Sequence, residues 1–217
     1  VEEVELELNV RVFEYDGETV ISGDVPSDVL VRVRDGGATI NGFVAGYVAA
    51  ENDIVLNGNV QGGGLISNRG SITLERSVMG ASLVSKCGSI TCSHLESPKL
   101  AFAWEKVVVS GPCRGGTVIG GSILVEGRVT SAQLRSCGQI ETRSIENSSR
   151  GDSVVLLVNK LVCTDYTRKL DRAQEGKYRK VYRLKDEIAL AEEADMFTHH
   201  QIHSAYRTGL FYLLGGV

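Results

Sequence analysis

Apolar residues return along most of this chain in short alternating runs that restart at a nearly fixed spacing. The stretch IVLNGNVQGG at residues 54–63 reappears, with changes, as ATINGFVAG at 38–46 and as ILVEGRVTS at 123–131. Alternation with period two predicts β-strands that bury one face. A fixed period of this length is the signature of a solenoid. Successive runs begin 16 to 19 residues apart, at Thr19, Ala38, Ile54, Ile72, Ile90, Val107, Ile123 and Ile140.

Each repeat contains three short alternating stretches separated by three corners rich in small residues. Coils of this kind stack about 4.8 Å apart, so equivalent positions form columns. We therefore predict an all-β solenoid, a single-stranded and right-handed β-helix of about eight coils. The predicted core column is Ile54, Ile72, Ile90, Val107, Ile123 and Ile140. The predicted corner glycines are Gly42, Gly58, Gly111 and Gly127.

The predicted solenoid covers residues 19–163 and is preceded by a strand or cap in residues 1–18. VELELNVRVF at 4–13 alternates strictly between apolar and polar residues. The raw end of a solenoid exposes unpaired backbone groups, so this strand is expected to lead into the first coil or to cap it. Its apolar face comprises Val4, Leu6, Leu8, Val10 and Val12.

The C-terminal segment, residues 164–217, changes to the spacing of a helix. Apolar residues three and four positions apart predict a charged helix or helical hairpin with a narrow apolar stripe, as in a coiled coil. Residues 160–185 contain nine basic and three acidic residues, whereas 186–195 contain five acidic residues and none that are basic. This polarity suits an antiparallel partner in the same chain or another copy, and a solvated charged surface is the alternative. The interface residues would be Leu170, Val181, Leu184 and Ile188.

Residues that could carry chemistry are few. The five cysteines include no C-x-x-C pair, which indicates reduced structural thiols. Asp195, His199 and His203 lie at positions i, i+4 and i+8 and are weak candidates for a metal site, although such a stripe is more often plain surface. No nucleophile, base and orienting group occur at a recognisable spacing. We therefore assign no catalytic, cofactor-binding or metal-binding residue.

Charge and hydropathy narrow the partners that the chain would bind. The net charge of −4 gives no overall attraction to nucleic acid or to an acidic membrane. No apolar run reaches the roughly 18 residues of a membrane span, so stable membrane insertion is not expected. Reduced cysteines and the lack of a signal-like segment favour a cytoplasmic location.

An enzyme is the alternative to a non-catalytic protein. Hexad spacing of apolar residues builds left-handed β-helices, whose best-known members are acyltransferases that use an acyl-coenzyme A donor. The shorter 16- and 17-residue steps break the hexad elsewhere in the chain, and the predicted solenoid holds one histidine, His94, to act as a base. The hexad positions are Ile54, Val60, Ile66 and Ile72.

Residues 20–150 resemble the β-solenoid of the flagellar assembly protein A (FapA) family. GDVPSDVLVRVRDGGATINGFVAGYVAAENDIVLNGNVQGGG at 23–64 is similar to that family's Gly-Asp-Val-Pro followed by coils of the form Gly-Gly-Asp-Ile-x-Val-x-Gly-x-Val, and VIGGSILVEGRV at 118–129 continues the likeness. Bactofilins and the C-terminal domain of MinC share this style of coil. The resemblance implies a cytoplasmic, non-catalytic scaffold or polymer-forming module linked to flagella or the cell pole. Its expected partners are further copies of the chain and an unidentified protein.

Overall fold

The structure, a computed structural model, describes residues 10–146 and 154–163. These residues form eighteen strands, and every pair of hydrogen-bonded strands is parallel. None of the described residues is helical. The strands are β1 Arg11–Asp16, β2 Thr19–Ile21, β3 Val29–Arg34, β4 Ala38–Ile40, β5 Tyr47–Ala50, β6 Ile54–Leu56, β7 Val60–Gln61, β8 Gly64–Ser67, β9 Ile72–Leu74, β10 Ser77–Met79, β11 Ser82–Ser85, β12 Ile90–Cys92, β13 His94–Glu96, β14 Leu100–Val109, β15 Cys113–Arg114, β16 Thr117–Thr130, β17 Gln133–Glu146 and β18 Val155–Cys163.

The strands stack into three ladders, which we call faces A, B and C. Face A joins β1, β3, β5, β8 and β11 to the first parts of β14, β16, β17 and β18. Face B joins β2, β4, β6, β9 and β12 to later parts of β14, β16, β17 and β18. Face C joins β7, β10, β13 and β15 to the ends of β16 and β17. Each coil passes from B to C to A, which confirms the predicted solenoid. Its right-handed sense stays a prediction.

The core lies inside the three faces, where side chains of one face meet those of the other two. On face B, Ile54 stacks on Ile72, which stacks on Ile90, and the column continues through Val107, Ile123 and Ile140. These six side chains are at most 1% exposed. Burying one such side chain stabilises the fold by roughly 1.5–3 kcal/mol relative to leaving it in water.

The corner between faces B and C requires glycine because consecutive coils approach closely there. A Cβ atom on Gly58 would lie 2.0 Å from the backbone oxygen of Gly42 in the preceding coil. A Cβ on Gly127 would lie 2.4 Å from the backbone of Gly111, and the same crowding holds at Gly42 and Gly111. The repeated glycine of the sequence therefore reflects lack of space at this corner.

His94 follows Ile90 by four residues, as Gly58 follows Ile54, so the repeat predicts it at this glycine corner, and that prediction is wrong. His94 begins strand β13 on face C, where it pairs with Ser77 of β10. The turn between Cys92 and Leu95, both buried, is one residue shorter than the equivalent turn in the preceding coil. The shorter turn moves His94 from the corner into the strand.

The corner between faces A and B is held by a buried serine in several coils. The Ser85 hydroxyl donates to the Gly70 carbonyl oxygen at 2.8 Å and accepts from the Gly88 backbone N–H at 3.1 Å. Ser67 and Ser136 make equivalent bonds in their own coils. Each serine therefore links its own corner to the corner of the coil before it.

Candidate interaction surfaces

Several residues assigned from the sequence lie outside the described part of the chain. These are the metal candidates Asp195, His199 and His203 and the helix residues Leu170, Val181, Leu184 and Ile188. Within residues 10–146 and 154–163, no group of three or more His, Cys, Asp or Glu side chains is arranged to hold a metal ion. In the same ranges, no helix is long and apolar enough to cross a bilayer.

The residues of the core column and the glycine corners build the coil rather than a binding surface. The column from Ile54 to Ile140 is enclosed, so it cannot contact a partner. His94 is exposed, and its Nδ1 lies 3.1 Å from the Ser93 hydroxyl oxygen. Nothing in this geometry favours acyl transfer over a non-catalytic role.

Of the four cysteines whose side chains are described, two are buried and two are exposed. Cys92 and Cys113 lie in the core, whereas Cys87 and Cys137 are exposed, and none of these four forms a disulfide bond. Burial raises the pKa of Cys113 to about 12. Burial, together with the nearby Cys113, raises the pKa of Cys92 to about 12 as well. Both buried thiols therefore stay protonated at neutral pH and behave as small apolar side chains.

The first surface that stands out is the open end of the solenoid at β1 and β2. Phe13 and Tyr15 stack on Val31 and Val33 of β3, which point into the core. They are nevertheless 43% and 44% exposed, because no strand of the described residues pairs with the other edge of β1. Large apolar side chains are normally hidden in a ladder of this kind. We call the exposed set the open end; it comprises Val10, Val12, Phe13, Tyr15 and Val20.

Ion pairs hold the open end in register with the next coil. Arg11 pairs with Asp28 at 2.9 Å, and Glu14 pairs with both Arg32 and Arg34. Hydrogen bonding by Arg34 lowers the pKa of Glu14, and hydrogen bonding by Arg11 lowers that of Asp28. These carboxylates therefore stay charged at neutral pH. The pairs position β1 while leaving its apolar side chains exposed.

A second surface lies on the outside of face A. The side chains of Leu83 and Ala101 enter the core, so the residues that follow them, Val84 and Phe102, point outward. Val84, Phe102 and Ile119 are stacked in register and are only 7%, 3% and 5% exposed. Together with the half-buried Ile66 and Leu100 they form an apolar cluster separate from the core, which we call the outer patch.

Arg135 extends the outer patch by one coil. It pairs in register with Ile119, so its side chain leaves the same outer face. Its Nε atom is buried and has no hydrogen-bond partner among the described residues. A buried guanidinium nitrogen without a partner is costly, so this position favours an incoming acceptor.

Pairs of adjacent apolar residues in the sequence indicate the outer patch, although a strict apolar-polar alternation does not predict them. Leu65–Ile66, Leu83–Val84 and Val118–Ile119 are pairs of adjacent apolar residues within strands of face A. Adjacent apolar residues indicate a strand that is buried on both sides. The hexad interpretation grouped Ile66 with inward residues, and that placement is wrong, because Leu65 is the member of the pair that enters the core.

Searches against protein-family models, curated proteins and solved structures find no match for this chain.

Proposed function

We propose that this chain is a non-catalytic scaffold that associates with further copies of itself through the open end of its solenoid. The observation that carries the proposal is the pair Phe13 and Tyr15, which occupy inward columns of face A but stay more than two-fifths exposed. In every inner coil the same columns are covered by a coil on each side. A second copy offers the geometrically matching cover.

The fold supports a scaffold because a strand of another copy can join the parallel sheet through the same hydrogen-bonding pattern that joins the coils of one chain. The edge of β1 with which no described strand pairs presents backbone groups that another strand can pair with. If the open end meets the opposite end of another copy, the contact repeats and produces a filament; if two open ends meet, it produces a closed dimer. Both arrangements bury the aromatic side chains.

The finer proposal is that the assembly serves a flagellar structure or the cell pole, together with an unidentified partner protein. It rests on the likeness of residues 23–64 and 118–129 to FapA coils. A cytoplasmic location belongs to the same proposal.

The test is the mass of the full-length chain by light scattering, for the native sequence and two variants. Phe13→Lys/Tyr15→Lys places two charges in the columns of the open end, which is how natural edge strands avoid pairing. Met79→Lys is the matched control, since Met79 is 42% exposed but lies in mid-solenoid on face C. We expect oligomers for the native chain and for Met79→Lys, and monomers for the double variant. Equal masses for all three proteins would contradict the proposal.

A further inference from the structure

We infer that the open end docks on the β18 end of a second copy, so that the copies join head to tail. The inference rests on the proposed self-association and names the surface that covers Phe13 and Tyr15. Among residues 10–146 and 154–163, β1 pairs only with β3, and β18 pairs only with β17. Each of these two terminal strands therefore has one edge with which no described strand pairs.

The two ends of the solenoid present the same two faces. β1 and β2 are the first strands of faces A and B, and β18 is the last strand of both faces. When one copy is placed on the other along the rod axis, β1 therefore lies on the first part of β18, and β2 lies on its later part. All strands remain parallel across this contact, as they are within one chain.

The apolar columns of face A continue across a head-to-tail contact. In the pairing register, Phe13 begins the column that ends at Leu156, and Tyr15 begins the column that ends at Val158. In the first of these columns, exposure exceeds 5% only at the two ends, with 43% for Phe13 and 8% for Leu156. The contact places these two ends together, and burial of apolar surface favours it.

The positions at the corner between faces A and B match in charge. Thr19 and Leu161 lie at opposite ends of one column of face B, so the residues that precede them, Glu18 and Lys160, also occupy equivalent positions. The carboxylate of Glu18 accepts a hydrogen bond from the backbone N–H of Gly37 at 2.9 Å, which holds it at this corner. Head-to-tail contact therefore brings a carboxylate and a lysine to neighbouring positions.

Contact between two open ends lacks this match. Residues 11–18 contain three acidic residues and one basic residue, whereas 155–163 contain Lys160 and no acidic residue. Two open ends therefore bring like net charges together, which disfavours that pairing. A two-fold axis that keeps face A over face A also reverses the strand direction and lays β2 over face C. In the described residues, the outermost pairing of face C at this end is the single bridge of Val25 with Val44, which is shorter than β2.

A head-to-tail contact leaves each added copy with one open end and one β18 end still uncovered by another copy. The same contact can therefore repeat, and it produces a polar filament rather than a closed dimer.

Cysteine cross-linking in the full-length protein tests this arrangement directly. The background removes the two exposed cysteines and the one in β18, through Cys87→Ser, Cys137→Ser and Cys163→Ser. One variant adds Val20→Cys at the open end, and a second adds Val162→Cys, which lies in the same column at the other end. In a head-to-tail contact these two positions are neighbours about 4.8 Å apart.

We expect a short bis-maleimide to cross-link the mixture of the two variants, with a yield at least about fivefold lower from either variant alone. In the control, Thr91→Cys replaces Val20→Cys, since Thr91 is exposed in the same column but lies in mid-solenoid. Dimers from the Val20→Cys variant alone, or equal yields with the control, would overturn the inference and leave the proposed self-association standing. A native chain that is monomeric by light scattering would overturn both.

Reversal of one charge provides a second test. Lys160→Glu places a carboxylate opposite Glu18, whereas Lys99→Glu makes the same change in net charge at an exposed position in mid-solenoid. In low salt, Lys160→Glu should raise the concentration at which half of the protein is assembled by about threefold or more, and Lys99→Glu by less than about 1.5-fold. Equal shifts for the two variants would count against the head-to-tail contact.

Discussion

At the scale of single residues, the alternation within one strand decides which side chains stabilise the fold. In β12, Ile90 and Cys92 point inward and are buried, whereas Thr91 between them is exposed. Ile90 stacks between Ile72 and Val107 in the face B column. Because a period of two leaves only two possible registers, the starts read from the sequence coincide with the pairing in the structure.

A charge placed in this column should unfold the solenoid. Ile90→Asp removes an apolar side chain that is fully enclosed and leaves a carboxylate among Ile and Val side chains without a partner. We expect a loss of about 4 kcal/mol or more in the free energy of unfolding. Thr91→Asp, one residue away on the outer side, should cost less than about 1 kcal/mol. Urea titration followed by circular dichroism checks both values, and equal losses would refute the register.

The two buried thiols make stability depend on alkaline pH. Cys92 and Cys113 have a folded-state pKa of about 12, against 9.0 for an unburied thiol. Between these values the unfolded chain has lost both protons while the native chain keeps them. The free energy of unfolding is therefore unaffected by these groups below pH 9 and falls as the pH rises toward 12.

A double substitution isolates this effect from the titration of lysines and tyrosines. Each thiol contributes about 1.4 kcal/mol per pH unit above pH 9, so the pair should cost the native protein about 3 kcal/mol between pH 8 and pH 10. The Cys92→Ala/Cys113→Ala variant starts less stable but should lack this part of the decline. Urea titrations of both proteins at the two pH values measure the difference, and identical declines would rule out the buried, protonated thiols.

At the scale of elements, hydrogen bonds at the corners connect one coil to the next in addition to those between the strands. Ser85→Ala would leave the Gly70 carbonyl and the Gly88 N–H without their shared partner. We expect the free energy of unfolding to fall by about 1–3 kcal/mol. Ser82→Ala, on the outward side of the same strand, is the control and should stay within about 0.5 kcal/mol. A larger loss for the control than for Ser85→Ala would show that the corner bonds are dispensable.

Element boundaries were harder to predict than the period. The short turn before Leu95 cannot be located from the period, since the 17-residue step from Ile90 to Val107 does not show which of its three corners is shorter. Continuous strands such as β16, Thr117–Thr130, pass around two corners that the repeat pattern breaks into separate strands. Hydrophobic spacing reports which side chains are buried, whereas strand length depends on backbone pairing with the coils on either side.

At the scale of the whole molecule, the sequence predicts a rod but not which of its surfaces are covered. The core column follows from one chain's own alternation. Whether Phe13 stays exposed depends on what lies against the end of the rod, and no local pattern specifies that. The open end and the outer patch became visible when the register showed inward columns left open at one end and outward columns buried along one side.

The central claim is that the solenoid associates through its open end, and sedimentation velocity of the full-length chain tests it most directly. If a second copy covers Phe13 and Tyr15, association should increase with protein concentration. The account predicts an average mass that rises above the 23.4 kDa of one chain as concentration increases. A single species of 23.4 kDa at every concentration, in low and in physiological salt, would contradict it.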